Sequence, residues 1–217
     1  MESEDIVVTH LFPPERASLL ELLSSLAAGQ WQAPTVCPGW SVKDVALHLL
    51  GDDIDLLSRR RDGAAPTDTP GRPAGFQELV ASLDRLNQSW VEATRRSSTR
   101  LLCELLAVTG EATGRYLTSL EVFAVEEPVS WVRPDPVPNW LDVARQYTER
   151  WTHQQQIRDA VGMPGLKEPA SWRRCWPPCA CAARAFTDVP AAVGTTVEVV
   201  IAGEAGGCWV VTRTPRS

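Results

Sequence analysis

The amino-acid sequence predicts a mainly α-helical protein, a bundle of about four or five helices followed by a short α+β segment. Two observations support this prediction. Apolar residues recur at helical spacing from Leu19 to Trp151, between residues typical of helix starts and ends. Beyond Pro164 the pattern changes to β-branched runs joined by a glycine-rich turn. With 217 residues, 44% of them hydrophobic, the chain has enough apolar surface for a packed core.

The first two helices have recognisable boundaries. Two prolines followed by a stripe of leucines predict a first helix that ends near Gly29. Ser41 and Asp44 have the spacing of an N-terminal capping pair, so we expect a second helix from there to about Arg61. His48 lies at the border of its apolar face, which consists of Val42, Val45, Ala46, Leu49, Leu56 and Leu57.

Three more helices are predicted further along the chain. Helical patterns cover 76–96 and 101–120, the second weakened by two glycines. Four prolines within 128–138 predict an extended, rigid loop, because proline cannot continue a helix. Asn139 is expected to cap a last long helix that Gly162 ends. The packing stripe of this helix is Trp140, Ala144, Tyr147 and Trp151.

The change of pattern predicts two domains, a helical bundle over 1–164 and a partial α+β segment over 165–217. Residues 195–201 and 208–211 have the composition of two strands of a β-hairpin. A lone hairpin is marginally stable in water. We therefore expect it to pack on the bundle, to pair with another chain or to belong to a larger domain.

Charge and hydropathy exclude several classes of function. A formal net charge of −6 leaves no excess of basic residues for a phosphate backbone, so nucleic acid is not an expected partner. No run of about 18 apolar residues could cross a membrane, and the N-terminus is acidic where a signal peptide would be basic. We therefore expect a cytoplasmic protein whose cysteines stay as thiols.

Two of the three histidines suggest a metal site. Glu149 precedes His153 by one helical turn, which places a carboxylate and an imidazole side by side. His48, on the second helix, could complete a set of two histidines and one carboxylate, which suits catalytic zinc and also nickel, manganese or iron. The alternative is an ordinary Glu–His pair on a solvent-exposed face, because Glu149 points almost opposite the tryptophan and tyrosine stripe.

Two stretches of the chain resemble a known family. Residues 31–51 (WQAPTVCPGWSVKDVALHLLG) and 137–162, which include YTERWTHQQQIRDAVG, resemble the mycothiol-dependent maleylpyruvate isomerase-like proteins. Their metal-binding N-terminal domain is a DinB-like four-helix bundle. The resemblance implies that His48, Glu149 and His153 are the metal ligands.

The resemblance also implies a function. We expect a divalent metal, most simply zinc, a thiol such as mycothiol as cofactor or co-substrate, and a small electrophilic substrate. The reaction would be an isomerisation or the transfer of the thiol; the alternative is a non-catalytic metal-binding bundle that serves as a binding or regulatory module. In the family a smaller C-terminal domain supplies a catalytic arginine, and that domain should continue past Ser217. The arginine has no counterpart that we can place, so the catalytic residues stay unknown.

Three charged residues near the predicted ligands have two interpretations each. Arg145 could bind a substrate carboxylate, but an ion pair with Glu149 is favoured. Asp44 and Asp52 flank His48 by one turn each and could orient its imidazole from behind the metal. Capping of the second helix explains Asp44 better.

The cysteines give weaker signals. Cys37, close to the start of the second helix, is either a reactive thiol or, as we favour, a packed turn residue. Cys175, Cys179 and Cys181 do not have a standard zinc-binding spacing, and no histidine lies near them in the sequence.

Overall fold

A computed structural model describes residues 7–64, 75–128, 136–168, 191–202 and 207–214. The mainly α-helical prediction is confirmed over these residues. They contain five α-helices: α1 (Phe12–Ser25), α2 (Val42–Asp55), α3 (Phe76–Thr94), α4 (Thr99–Ser119) and α5 (Asn139–Val161). Helix α2 packs against α3 and α4, and α1 packs against α4. The predictions for Cys175, Cys179 and Cys181 lie outside the described residues.

Four short strands form two separate antiparallel ribbons. Strands β1 (Val125–Pro128) and β2 (Pro136–Pro138) pair with each other, and β3 (Thr196–Ile201) pairs with β4 (Gly207–Thr212). The second ribbon confirms the predicted hairpin, in continuous register from Thr196 opposite Thr212 to Ile201 opposite Gly207. The first corrects the proline-rich loop, whose two ends pair as strands. A two-stranded ribbon consists only of edge strands, which tolerate proline.

The chain divides into two compact units. One consists of residues 1–8, 121–149 and 165–217, and contains both ribbons; the other consists of 9–120 and 150–164. The division falls within α5, between Glu149 and Arg150. The predicted domain boundary after residue 164 stays a prediction.

The start of α2 follows from its capping residues. The Ser41 hydroxyl accepts a hydrogen bond from the Asp44 backbone N–H at 3.3 Å, and the Asp44 carboxylate accepts one from the Ser41 N–H at 3.0 Å. This is the reciprocal capping box that the sequence predicts. Beyond Asp55 the chain continues as a π-helical segment, Leu56–Arg61, so the predicted end near Arg61 agrees with the structure.

The core of the second unit surrounds α2. The sequence predicts burial of one face, but seven consecutive residues, 44–50, are buried. Because α2 lies between α3 and α4, its polar residues are covered as well as its apolar ones. Buried core residues from the other elements of this unit are Leu19, Leu22, Leu23, Trp31, Val91, Leu102, Leu106 and Ile157.

A buried ion-pair network ties α2 to its neighbours. The Asp53 carboxylate is completely buried and accepts hydrogen bonds from Arg16 at 2.7 Å, Arg150 at 2.8 Å and the Thr109 hydroxyl at 2.8 Å. Burial alone would raise the pKa of Asp53, but the two guanidinium groups outweigh it and hold the pKa below its usual value. Helices α1, α2, α4 and α5 therefore meet at one ionised carboxylate.

Two glycines have specific structural roles, one at the end of α5 and one beside Arg16. Gly162 (φ +69°) ends α5, with the Met163 N–H bonded to the Arg158 carbonyl at 3.0 Å, as in a Schellman motif. Gly110 in α4 leaves room for Arg16, since a Cβ there would lie 2.7 Å from the guanidinium carbon. Packing thus explains Gly110, one of the two glycines that weaken the predicted helix.

Among the described residues, no helix is both long and apolar enough to span a lipid bilayer.

Candidate metal site

His48 of α2 and His153 of α5 face each other across the second unit. Their Nε2 atoms are 3.1 Å apart, and the rings meet edge to face with centroids 4.5 Å apart. Glu149 lies one turn before His153 on the same helix. One ligand atom from each of the three residues lies within 4.8 Å of the other two. The structure therefore brings together the three residues that the sequence analysis selected.

The three side chains are partly shielded from water. His48 is 3% exposed, and Glu149 and His153 are half-buried. The Trp40 ring packs beside His48, with centroids 5.2 Å apart. The alternative in which Glu149 lies in solvent is not what the structure shows. That alternative followed the apolar stripe only, whereas polar residues of α5, among them Gln146, Arg150 and Gln154, are buried as well.

Gln156 determines which nitrogen of His153 faces the site. Its Oε1 lies 2.7 Å from His153 Nδ1, and the Cys37 thiol donates to the same oxygen at 3.1 Å. An amide oxygen only accepts, so Nδ1 must carry the hydrogen and Nε2 of a neutral His153 keeps a lone pair. Gln156 was missed by the sequence analysis, although its spacing of three residues from His153 on a helix was a usable signal.

Cys37 is a half-buried free thiol. It packs against the core cluster of α1, α2 and α4 and donates to Gln156. This agrees with the packed turn residue that we favoured, and it also places the thiol two hydrogen bonds away from His153 Nδ1.

Asp52 also reaches the site, but from an unexpected side. Its Oδ2 lies 3.5 Å from His48 Nε2, the same nitrogen that faces His153. A carboxylate that orients a metal-bound histidine from behind accepts from the other ring nitrogen. The position of Asp52 therefore differs from that expected of an orienting acceptor.

Asp44 and Arg145 have partners elsewhere. Besides capping α2, the Asp44 carboxylate accepts from Arg95 at 2.8 Å. Burial would raise the pKa of Asp44, but the hydrogen bonds from Arg95 and Ser41 outweigh it and lower the pKa. Arg145 pairs with Asp142 at 3.1 Å, where the sequence analysis favoured Glu149.

The donor atoms fit a divalent cation. Two imidazole nitrogens and a carboxylate are the ligand types and the number found in open zinc sites. The lone pair that Gln156 leaves on His153 Nε2 is the protonation state a ligand needs. Because the three atoms lie within 4.8 Å of one another, one ion could contact all of them.

Comparison with known proteins agrees with this geometry. The family model for the mycothiol maleylpyruvate isomerase N-terminal domain matches residues 12–158, which include all three residues and helices α1 to α4. The chain belongs to this family. The resemblance seen in the sequence is thereby confirmed, together with the DinB-like, mycothiol-associated character of the family.

The curated proteins that are similar to this chain add no information about its function. Two uncharacterized proteins of Mycobacterium tuberculosis, from strains CDC 1551 / Oshkosh and ATCC 25618 / H37Rv, are each 28% identical over 150 residues. The aligned region is 69% of this chain and 54% of each relative, so the chain spans about half the length of these proteins. No solved structure matches the chain.

Proposed function

We propose that this protein binds a divalent metal, most simply zinc, on His48, Glu149 and His153, and uses it to activate a low-molecular-weight thiol of the mycothiol type. The observation that carries the proposal is the convergence of the three ligand atoms within 4.8 Å. Membership of a family described as mycothiol maleylpyruvate isomerase supports the thiol. The reaction would be isomerisation of a small electrophilic substrate or transfer of the thiol to it.

The roles of the protein residues follow from their contacts. His48 and His153 provide neutral nitrogen ligands, and Glu149 provides a negative oxygen ligand that offsets part of the cation's charge. Gln156 holds His153 in the tautomer that directs Nε2 into the site. Trp40 covers one side of His48 and limits the access of water.

When bound, the metal would lower the pKa of a coordinated thiol and so supply a thiolate nucleophile at neutral pH. An open set of three protein ligands usually serves chemistry, which favours an enzyme over a metal-binding module. No catalytic side chain beyond the ligands is assigned.

Metal content tests the site directly. We expect the wild-type protein, purified without a histidine tag, to hold about one divalent ion per chain. His153→Ala should lose this ion because one of three ligands is gone, while the far-UV helical signal remains. His10→Ala changes an exposed histidine outside the site and is the matched control. Unchanged metal content in His153→Ala would rule out the assignment.

Turnover separates the enzyme from the module. The metal-loaded protein would be mixed with a thiol and either maleylpyruvate or a reactive electrophile. Loss of maleylpyruvate without net loss of thiol indicates an isomerase, and stoichiometric loss of thiol indicates a transferase. Bound metal with no thiol-dependent turnover would favour a binding or regulatory module.

A further inference from the structure

The geometry points to Cys37 as a positioning residue, which holds the Gln156 amide, and through it the tautomer of His153, in the state that binds a metal. This inference rests on the proposed function, because it concerns the readiness of His153 to accept the cation. It goes further by giving a role to a thiol that the proposed function does not use. Cys37, Gln156 and His153 all belong to the second unit of the chain.

The amide oxygen of Gln156 receives two hydrogen bonds. Oε1 lies 2.7 Å from His153 Nδ1 and 3.1 Å from Cys37 Sγ. An amide oxygen has two lone pairs, so one accepts from the Nδ1–H and the other from the thiol. The amide is therefore held from two sides, by an imidazole of its own helix and by a thiol that is 119 residues away in the sequence.

The orientation of this amide decides which nitrogen of His153 is free. If the amide rotated by half a turn, its NH₂ group would face Nδ1, and that group can only donate. A neutral imidazole carries one N–H, which would then lie on Nε2 and occupy the position that a metal needs. The imidazole does not choose between the two orientations, because Nδ1 can either donate or accept.

The thiol favours the orientation that leaves Nε2 free. In the observed arrangement the S–H group donates to a good acceptor, the amide oxygen of Gln156. After rotation of the amide, the thiol could offer only its sulfur, a weak acceptor, to the NH₂ group. The contact between Cys37 and Gln156 therefore biases His153 toward the tautomer with its lone pair on Nε2.

The turn before α2 holds the thiol in this position. The Cys37 N–H donates to the Thr35 hydroxyl at 3.2 Å, and the Cys37 carbonyl accepts from the Trp40 N–H at 3.0 Å. The Thr35 N–H donates to the Trp40 carbonyl at 3.0 Å. The same turn places the Trp40 ring beside His48. One short turn thus supports both histidines, one through Trp40 and the other through Cys37.

Zinc affinity, measured by competition with a chromophoric chelator, tests this role. Cys37→Ala removes the donor and should weaken zinc binding by roughly 2- to 10-fold, the effect of one neutral hydrogen bond. Cys37→Ser keeps a donor and should restore most of the affinity. Cys103→Ala removes another half-buried free thiol, which lies on α4, and is the matched control.

Two further measurements separate positioning from a merely structural role. In the Gln156→Met background the acceptor is gone, so adding Cys37→Ala should cause no further loss of zinc affinity. In the metal-free protein, the ¹⁵N NMR shifts of the His153 ring show which nitrogen carries the hydrogen. We expect the hydrogen on Nδ1 in the wild type and a larger share on Nε2 in Cys37→Ala. An equal further loss in the Gln156→Met background, or unchanged ring shifts, would overturn the inference.

The outcomes also separate this inference from the proposed function. If wild-type protein and Cys37→Ala bound zinc equally well, the role of Cys37 would be overturned and the three-ligand site would stand. If the wild type bound no zinc, the proposed function would fail, and the ring shifts of His153 would still decide whether Cys37 sets the tautomer. If Cys37→Ala lost its helical signal, Cys37→Val, which fills the space without a donor, would replace it in every comparison.

Discussion

Gln156 controls His153 through one hydrogen bond. Its oxygen, 2.7 Å from Nδ1, requires the hydrogen to be there and turns the lone pair of Nε2 toward His48. Such partners behind a metal ligand affect binding because they fix the ring and raise its basicity.

Gln156→Met keeps the approximate length of the side chain and removes the acceptor. We expect metal affinity to fall by about 10–100-fold, measured by competition with a chromophoric chelator. Gln156→Glu keeps an acceptor oxygen and should retain most of the affinity. Gln32→Met, an exposed position outside the site, is the control. Equal affinities in Gln156→Met and wild type would contradict the role of this hydrogen bond.

At the residue scale the sequence predicted part of the site. The helical spacing of Glu149 and His153 indicated a shared face, because that relation is local. The approach of His48 depends on how α2 packs, so the sequence offered His48 as a candidate and only the family resemblance indicated it as a ligand. The side of the ring that Asp52 would reach could not be predicted, since it depends on the rotamer of His48.

At the scale of helices, the buried ion-pair network links α5 to α2 through Arg150. This arginine donates to the completely buried Asp53 and also lies over the Phe12 ring, with its guanidinium carbon 5.9 Å from the centroid. Replacing a buried ion pair by apolar residues is often neutral, but removing one partner leaves a buried charge. Arg150 and Asp53 thus fix how the two helices meet.

Asp53 keeps Arg16 in Arg150→Met, so the variant should lower the free energy of unfolding by roughly 1.5–3 kcal/mol, the contribution of one hydrogen bond to a charged group. Urea denaturation followed by circular dichroism would measure the loss. Arg59→Met breaks an exposed pair with Asp55 and should cost about 1 kcal/mol or less. If Arg150→Met and Arg59→Met lost similar amounts of stability, the buried Arg150–Asp53 pair would be no more stabilising than the exposed Arg59–Asp55 pair, and the prediction would be wrong.

Helix boundaries were more predictable than burial. Ser41 with Asp44, and Gly162, gave boundaries of α2 and α5 because capping is a local property of the backbone. How many faces of a helix are buried depends on the helices that pack around it, not on its own sequence. Hydrophobic periodicity detects apolar residues only, so it could not indicate that Asp53, Arg150 and Gln154 are buried.

The dependence of stability on pH is a property of the whole molecule, and two buried acids act on it in opposite directions. The folded pKa of Asp53 is lowered, so its contribution is complete above its unfolded pKa of about 4 and is lost as pH falls through the folded value. Burial raises the pKa of Glu15 despite the nearby Arg16 and Arg150. Its effect therefore disfavours the folded state as pH rises above about 4.5.

We expect the free energy of unfolding to decrease as pH is lowered below about 4, because protonation of Asp53 removes the charge that Arg16 and Arg150 bind. Asp53→Asn should be less stable at neutral pH and should show a shallower decrease in acid. Urea midpoints measured in steps from pH 6 to about pH 3 would test this. Asp55→Asn, at an exposed position, is the control. Parallel curves for Asp53→Asn and wild type would contradict the expectation.

Two adjacent residues of α2 contact different partners. Asp52 pairs with His48, and Asp53 pairs with Arg16 and Arg150. Successive side chains on a helix diverge by about 100°. A one-residue insertion between His48 and Asp53 would rotate one group relative to the other, and no single rotation of the helix could restore both. The length of this segment is therefore constrained even where its individual side chains tolerate change.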